Sequence, residues 1–471
     1  MAAEHAPNDH DTTPIDRLDA GFGRFLAGIA LVGLGAAIFA VAFRRVLAWW
    51  YAIAFHASNV VDAIAGLPWW LRLVVPLAGG LAAGLISARR ASRGQNVSNV
   101  MEAIALGNVR LSLRATLSRV AASWAAIGAG LSIGREGPLI EFGGSLGASI
   151  GRVLTTTDRR TRVLIAAGTA AGFAAAYNTP LAAVLFVLET MAGVAALEVV
   201  LPVMGATAVA TVLTRALVGG GPIYGQREFT FGQPIELLTY GALGLIAAIA
   251  AIGFKGVLTA GERLFERSAI PQPARSAIGG LIVGALAVWM PAVAGNGYEP
   301  LNGVLNQPLP MIFIATLVLV KVIGTSASVG SGIPGGIFTP MLLVGGATGT
   351  LWAHAVAAIG GPPIANEGSY ALVGMAATAA ASTYAPLTAA VMIFEVSGDY
   401  PIVIPLILAT SLAVATSRAF RSDSVYNSEL RRRGLGWVMT LDGRRVESSV
   451  SQNREPRTPN LERRTENREP D

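Results

Sequence analysis

One carboxylate stands in the segment Gly134-Arg135-Glu136-Gly137-Pro138, with apolar sequence on both sides. An ionisable side chain in such surroundings is costly and marks function by default. Glycines followed by a proline read as a loop running into a first helical turn, where the missing proline N–H costs nothing. A helix start carries unpaired N–H donors and about half a positive charge. The same order recurs at Gly335-Gly336-Ile337-Phe338-Thr339-Pro340, so Pro138 and Pro340 both predict helix starts. Two starts aimed at one point attract an anion without a fixed cationic side chain, and so hold it loosely enough to let it go. A carboxylate beside such a start offers the charge of the anion and can take its seat; protonation then releases it. Glu136 is therefore expected to be both gate and proton acceptor. The bland role of glycine, close helix packing, is assigned to Gly143, Gly144 and Gly147. For Arg135 the bland role is an ion pair with Glu102 or Glu141.

The elements that must position these groups are membrane helices. The 471 residues are 53% hydrophobic and only 14% charged, where a soluble chain is nearer about a quarter charged. Apolar runs of bilayer length fall at residues 25–43, 71–88, 199–216, 237–254, 278–293 and 312–328. A β-barrel would show short alternating segments instead. The first residues are polar and acidic and lack the basic, then apolar, pattern of a cleavable signal, so they read as a cytoplasmic tail. Basic clusters at Arg44/Arg45, Arg89/Arg90/Arg93, Arg159/Arg160/Arg162 and Arg431–Arg433 read as cytoplasmic helix ends rather than nucleic-acid contacts. Cysteine is absent, and His5, His10, His56 and His354 have no metal-ligand spacing. No serine–histidine pair or aspartate pair lies at membrane depth, so an intramembrane enzyme has no support. No cofactor is expected.

The chain also repeats itself. Gly134, Pro138, Gly143, Gly144 and Gly147 match Gly336, Pro340, Gly345, Gly346 and Gly349, all 202 residues on. Gly168, Pro180, Leu181 and Glu189 match Gly374, Pro386, Leu387 and Glu395, 206 residues on. Matching blocks in the same order predict two repeated halves. Broken helices at corresponding places in such halves converge near the bilayer midplane on a small-solute site. The residues alone leave parallel and inverted halves both open, and inverted is the expectation. The predicted fold is all-α and polytopic, with a polar tail at 1–20, a membrane domain at 21–430 (halves about 21–218 and 235–430) and a basic, disordered tail at 431–471.

These motifs resemble the CLC chloride channel and transporter family. Residues 134–138 spell its G-[KR]-E-G-P motif, residues 335–340 fit G-x-F-x-P, and Ser424-Val425-Tyr426-Asn427-Ser428-Glu429-Leu430 looks like the segment bearing its tyrosine. The resemblance implies that Glu136 gates, that Arg135, Glu136 and Gly137 belong to the anion-binding set, and that the amides of Ile337 and Phe338 and the hydroxyl of Tyr426 contact the central anion. The family motif G-S-G-I-P is replaced at Gly94-Gln95-Asn96-Val97-Ser98, so Gln95 stands at the usual serine and Ser98 at the proline. An amide NH₂ can donate to an anion as a hydroxyl does, though it is larger. Exchangers of the family often carry an inner glutamate as the second of two acids; here Glu189 fills the first place and Thr190, which cannot titrate, the second. Glu189 and Thr190 are the candidate inner proton relay. The resemblance thus implies transport of chloride or a similar small monovalent anion with coupled proton antiport, or, alternatively, a passive voltage- or pH-gated channel. It also implies a homodimer with one pore per subunit in a bacterial inner or plasma membrane, and the short final stretch leaves no room for paired regulatory CBS domains.

Overall fold

The computed structural model describes residues 20–89, 96–106, 111–192, 197–221, 224, 233–362, 364, 366–432, 435–440 and 443–448. The first half holds α1 (Ala20–Phe55), α2 (Val60–Ala65), α3 (Trp69–Ala88), α4 (Asn96–Leu106), α5 (Leu113–Gly128), α6 (Glu136–Val153), α7 (Asp158–Tyr177), α8 (Pro180–Val187) and α9 (Leu197–Val218). The second holds α10 (Glu236–Arg267), α11 (Gln272–Trp289), α12 (Tyr298–Asn306), α13 (Met311–Gly330), α14 (Phe338–Ala358), α15 (Glu367–Thr383), α16 (Pro386–Ser397), α17 (Val403–Ala419) and α18 (Val425–Arg432). Six stretches among the described residues are long and apolar enough to cross a membrane: Gly21–Ala65, Trp69–Ala88, Leu197–Val218, Glu236–Arg267, Met311–Gly330 and Phe338–Ala358.

Equivalent residues of the two halves meet one another. Gly80 on α3 packs so close to α11 that a methyl there would lie 2.2 Å from the Ser276 carbonyl oxygen, and a methyl on Gly280 would lie 2.1 Å from that of Pro76. Gly84 abuts Pro273 while Gly284 abuts Arg72 and Leu73. Numbers rise along one helix as they fall along the other, so α3 and α11 are antiparallel, and every contact maps onto its partner under a shift of 200 residues. The match between Gly79-Gly80 and Gly279-Gly280 is inconspicuous in the sequence because both segments are rich in alanine and glycine. Gly134 and Gly336 exchange both backbone hydrogen bonds, at 2.6 and 2.8 Å, in an antiparallel bridge. Such self-reciprocal contacts require a two-fold relation between the halves. Because α3 is a membrane-length helix and its equivalent runs against it, the halves are inverted. The charge pattern agrees: the turn between α6 and α7 is flanked by Arg152, Arg159, Arg160 and Arg162, while residues 359–369, its counterpart, hold no basic side chain.

Within each half, the glycines let helices touch backbone to backbone. Methyls on Gly143 and Gly168 would each lie 2.0 Å from the other residue's carbonyl oxygen, locking α6 against α7. Gly345 and Gly374 repeat the crossing between α14 and α15 at 2.5 and 2.3 Å. With no hydrophobic drive between helices in lipid, such close contact is what holds them together.

One expectation is corrected. Residues 435–440 and 443–448 form an antiparallel hairpin, β1 (Leu435–Thr440) with β2 (Gly443–Ser448), rather than a disordered tail. The overlooked signal is the Asp442-Gly443 dipeptide, a turn signal whose glycine opens β2. The remainder of the tail lies outside the described residues.

Candidate functional site

The Gly134–Gly336 bridge brings two helix starts together, since α6 begins at Glu136 and α14 at Phe338. Shifting Glu136 by the repeat distance lands on Phe338, so the pair are equivalent residues. The loop leading into α14 lies deep in the protein, where its backbone must be satisfied internally. The Ser123 hydroxyl donates to the Pro334 carbonyl at 2.5 Å, and that of Ser276 to the Ser331 carbonyl at 3.2 Å. Gly332, at φ +88°, makes the turn that leaves α13.

Glu136 is 2% exposed and reaches across to the start of α14. Its Oε1 accepts from the amides of Phe338 at 2.8 Å and Thr339 at 3.2 Å, and its Oε2 from the Thr339 hydroxyl at 3.2 Å. The Tyr177 hydroxyl, at the end of α7, lies 2.9 Å from that of Thr339. The carboxylate thus sits where the free donors and partial positive charge of a helix start converge, a ready-made anion site. On one side is a small cleft lined by Arg135, Glu136, Tyr177, Tyr224, Asn296, Tyr298 and Thr339 among others. The rings of Tyr224 and Tyr298 stack there at 5.4 Å. On the other side is a chain of rings: Phe338 packs against Phe173 and Tyr177, Phe173 against Phe186, and Phe186 edge-on against Tyr426. Tyr426, on α18, is buried.

Of the residues predicted from sequence, the structure therefore brings together Arg135, Glu136, Gly137, Ile337 and Phe338, with Tyr426 joined to them through the aromatic chain. Gln95 lies outside the described residues. Ser98 is in the first turn of α4, fully buried, and its hydroxyl has no hydrogen-bond partner among the described residues. Thr339 and Tyr177 were missed. Thr339 fills a position between motif residues, and Tyr177 is an isolated tyrosine before a helix cap; neither carries a spacing signal.

One expectation about charges needs correction. Glu141 pairs with Arg119 of α5, not with Arg135, because α5 packs alongside α6 and presents Arg119 to it. Glu141 also accepts from Asn99 and Thr116. The residue equivalent to Arg119 in the second half is Lys321, fully buried, which donates to the carbonyls of Val293 at 2.9 Å and Gly295 at 2.7 Å. That second cation holds the loop carrying Asn296 and Tyr298.

Glu189 sits at a helix start of the opposite half. Its carboxylate accepts from the amides of Leu387 at 3.1 Å and Thr388 at 2.7 Å and from the Thr388 hydroxyl at 2.6 Å, capping α16. Glu395 returns the contact, accepting from the amides of Leu181 at 3.0 Å and Ala182 at 2.9 Å, and so caps α8. The Thr190 hydroxyl donates to the Phe186 carbonyl.

This is an integral, multi-pass membrane protein built on inverted halves whose broken helices meet at a buried carboxylate. A family model described as voltage gated chloride channel matches residues 78–418. The chain is 40% identical over 418 residues to a putative chloride channel protein ClcB-like of Ralstonia nicotianae, covering 86% of this chain and 96% of the relative. It is 33% identical over 409 residues to the voltage-gated ClC-type chloride channel ClcB of Salmonella typhimurium, covering 84% and 96%. Its fold matches a slow cyanobacterial Cl⁻/H⁺ antiporter at a TM-score of 0.80 with 23% identity, over 87% of this chain and 98% of the other. A CLC-type fluoride/proton antiporter matches at 0.71 with 21% identity, over 89% and 99%. The chain belongs to the CLC family of chloride channels and transporters.

Proposed function

We propose that this chain carries chloride or a similar small monovalent anion across the membrane in exchange for protons, with Glu136 as gate and proton acceptor. The supporting observation is the seat of Glu136: its carboxylate takes the amides of Phe338 and Thr339 at the start of α14, donors an anion would take in its absence. Protonation removes the charge that the helix start favours, so the side chain yields its place and a permeating anion takes it. Ile337, Phe338 and Thr339 would then hold the ion through their amides, with Arg135 and Gly137 beside the path and the Tyr426 hydroxyl at its inner end. Gln95, outside the described residues, would donate its amide to the anion, as the family resemblance implies. Two copies would associate, each with its own pore, as the family implies.

A second reading, passive conduction, draws on the inner end, where Thr190 replaces a titratable group and Glu189 is engaged as a helix cap. Purified protein in liposomes decides between them. Under a pH gradient a coupled exchanger shifts the zero-current voltage away from the anion equilibrium potential, whereas a channel does not. Glu136→Gln should abolish proton movement while leaving or raising anion flux; unchanged proton flux in that variant refutes the gate.

A further inference from the structure

We propose that Thr339 and Tyr177 form a two-hydroxyl proton wire that delivers a proton from the cleft to Glu136 while its carboxylate is still seated on α14. This deepens the proposed function and rests on Glu136 acting as a proton acceptor.

Three donors of α14 serve the carboxylate in its seat, and they differ in kind. The amides of Phe338 and Thr339 satisfy Oε1, but an amide N–H has no lone pair free to take a replacement proton. A hydroxyl both donates and accepts, and the Thr339 hydroxyl is the one bonded to Oε2. Since Thr339 donates its hydrogen to Glu136, its oxygen is left to accept, and the Tyr177 hydroxyl stands 2.9 Å away to donate. The order Tyr177 O–H, Thr339 O–H, Glu136 carboxylate is therefore fixed by hydrogen-bond direction. All three residues are buried, at 6%, 2% and 2% exposure. Tyr177 lines the cleft, as Thr339 and Glu136 do, and the cleft is the side from which the wire would take its proton. The other titratable groups on the cleft are Arg135, Tyr224 and Tyr298.

The transfer balances without changing the charge of either hydroxyl. A hydronium in the cleft gives a proton to the Tyr177 oxygen. Tyr177 gives its own proton to the Thr339 oxygen, and Thr339 gives its proton to Oε2 of Glu136. One O–H bond forms and one breaks at each hydroxyl, and the net result is a neutral carboxylic acid in the seat. The acid then leaves, as the proposed cycle needs. The wire thus couples proton arrival to the seated state, before the anion path has opened.

The test is a double-mutant comparison in liposomes. With Glu136 present, Tyr177→Phe should slow coupled turnover about tenfold, the lower range for loss of a proton-transfer group. In the Glu136→Gln background, which needs no proton, the same substitution should change anion flux by less than about twofold, because the two residues share one pathway. With Glu136 present, Thr339→Val should slow coupled turnover as Tyr177→Phe does, and Thr339→Ser, which keeps the hydroxyl, should recover most of the turnover lost in Thr339→Val. Wild-type turnover in Tyr177→Phe overturns the wire. So does equal slowing in both backgrounds, which would make Tyr177 a packing residue. If Tyr177→Phe fails to fold, the Thr339 pair with Glu136 present decides the matter: equal coupled turnover in Thr339→Val and Thr339→Ser overturns the wire. Absence of proton flux in the wild type would instead sink the coupled reading itself, and the wire with it.

Discussion

The molecule makes one kind of contact in two settings. At the α8–α16 contact, Glu189 caps α16 and Glu395 caps α8, each carboxylate lying on the start of the opposite half's helix. At the α6–α14 contact, Glu136 does the same to α14, but the equivalent position in the other half is Phe338, which cannot return it. The first pair obeys the two-fold relation and fixes two helices; neither carboxylate could leave without orphaning the amides it caps. The second is one-sided. Under the proposed function an anion replaces Glu136 and takes over the same two amides. On that proposal, symmetry kept marks architecture and symmetry broken marks the site.

The buried cations follow the same rule. Arg119 and Lys321 occupy equivalent places, yet among the described residues only Arg119 has a carboxylate partner, Glu141. Removing that acid should produce the largest loss of stability among the architectural groups. Glu141→Ala leaves a buried guanidinium uncompensated, at a cost of about 3–5 kcal/mol, and thermal unfolding in detergent reads it. A fall below about 1 kcal/mol would mean that water or Asn99 already carries Arg119.

The reciprocal caps sharpen the comparison at smaller size. Glu189→Gln and Glu395→Gln should each cost about 1–2 kcal/mol, the worth of charge-assisted bonds at a helix start. The Glu189 variant should lose somewhat more, because its carboxylate holds the Thr388 hydroxyl as well. Both should keep the anion-to-proton ratio of the wild type. Loss of proton coupling in Glu189→Gln alone would break the comparison and make Glu189 a relay.

The sequence made much of this visible because its repeats fall on residues with a single use. Gly143 and Gly168 admit no side chain between α6 and α7, so the glycine pattern survives in both halves. Pro138 and Pro340 mark helix starts, and both do stand in first turns. What stayed hidden depends on which residues meet. Nothing in a linear string of residues says that Glu189 reaches the start of α16, or that Arg119 rather than Arg135 takes Glu141; the two-fold packing decides that. Thr339 and Tyr177 belong to different halves and become neighbours only when the Gly134–Gly336 bridge closes.

Transport by this route requires that Glu136 occupy the place of an anion. Bromide soaked into crystals of wild type and Glu136→Ala, located by its anomalous signal, tests this directly. The expected result is a bromide within hydrogen-bond reach of the Phe338 and Thr339 amides in the variant and none there in the wild type. A variant whose α14 start stays empty of bromide, or a wild type that holds bromide there with the carboxylate still seated, would contradict it.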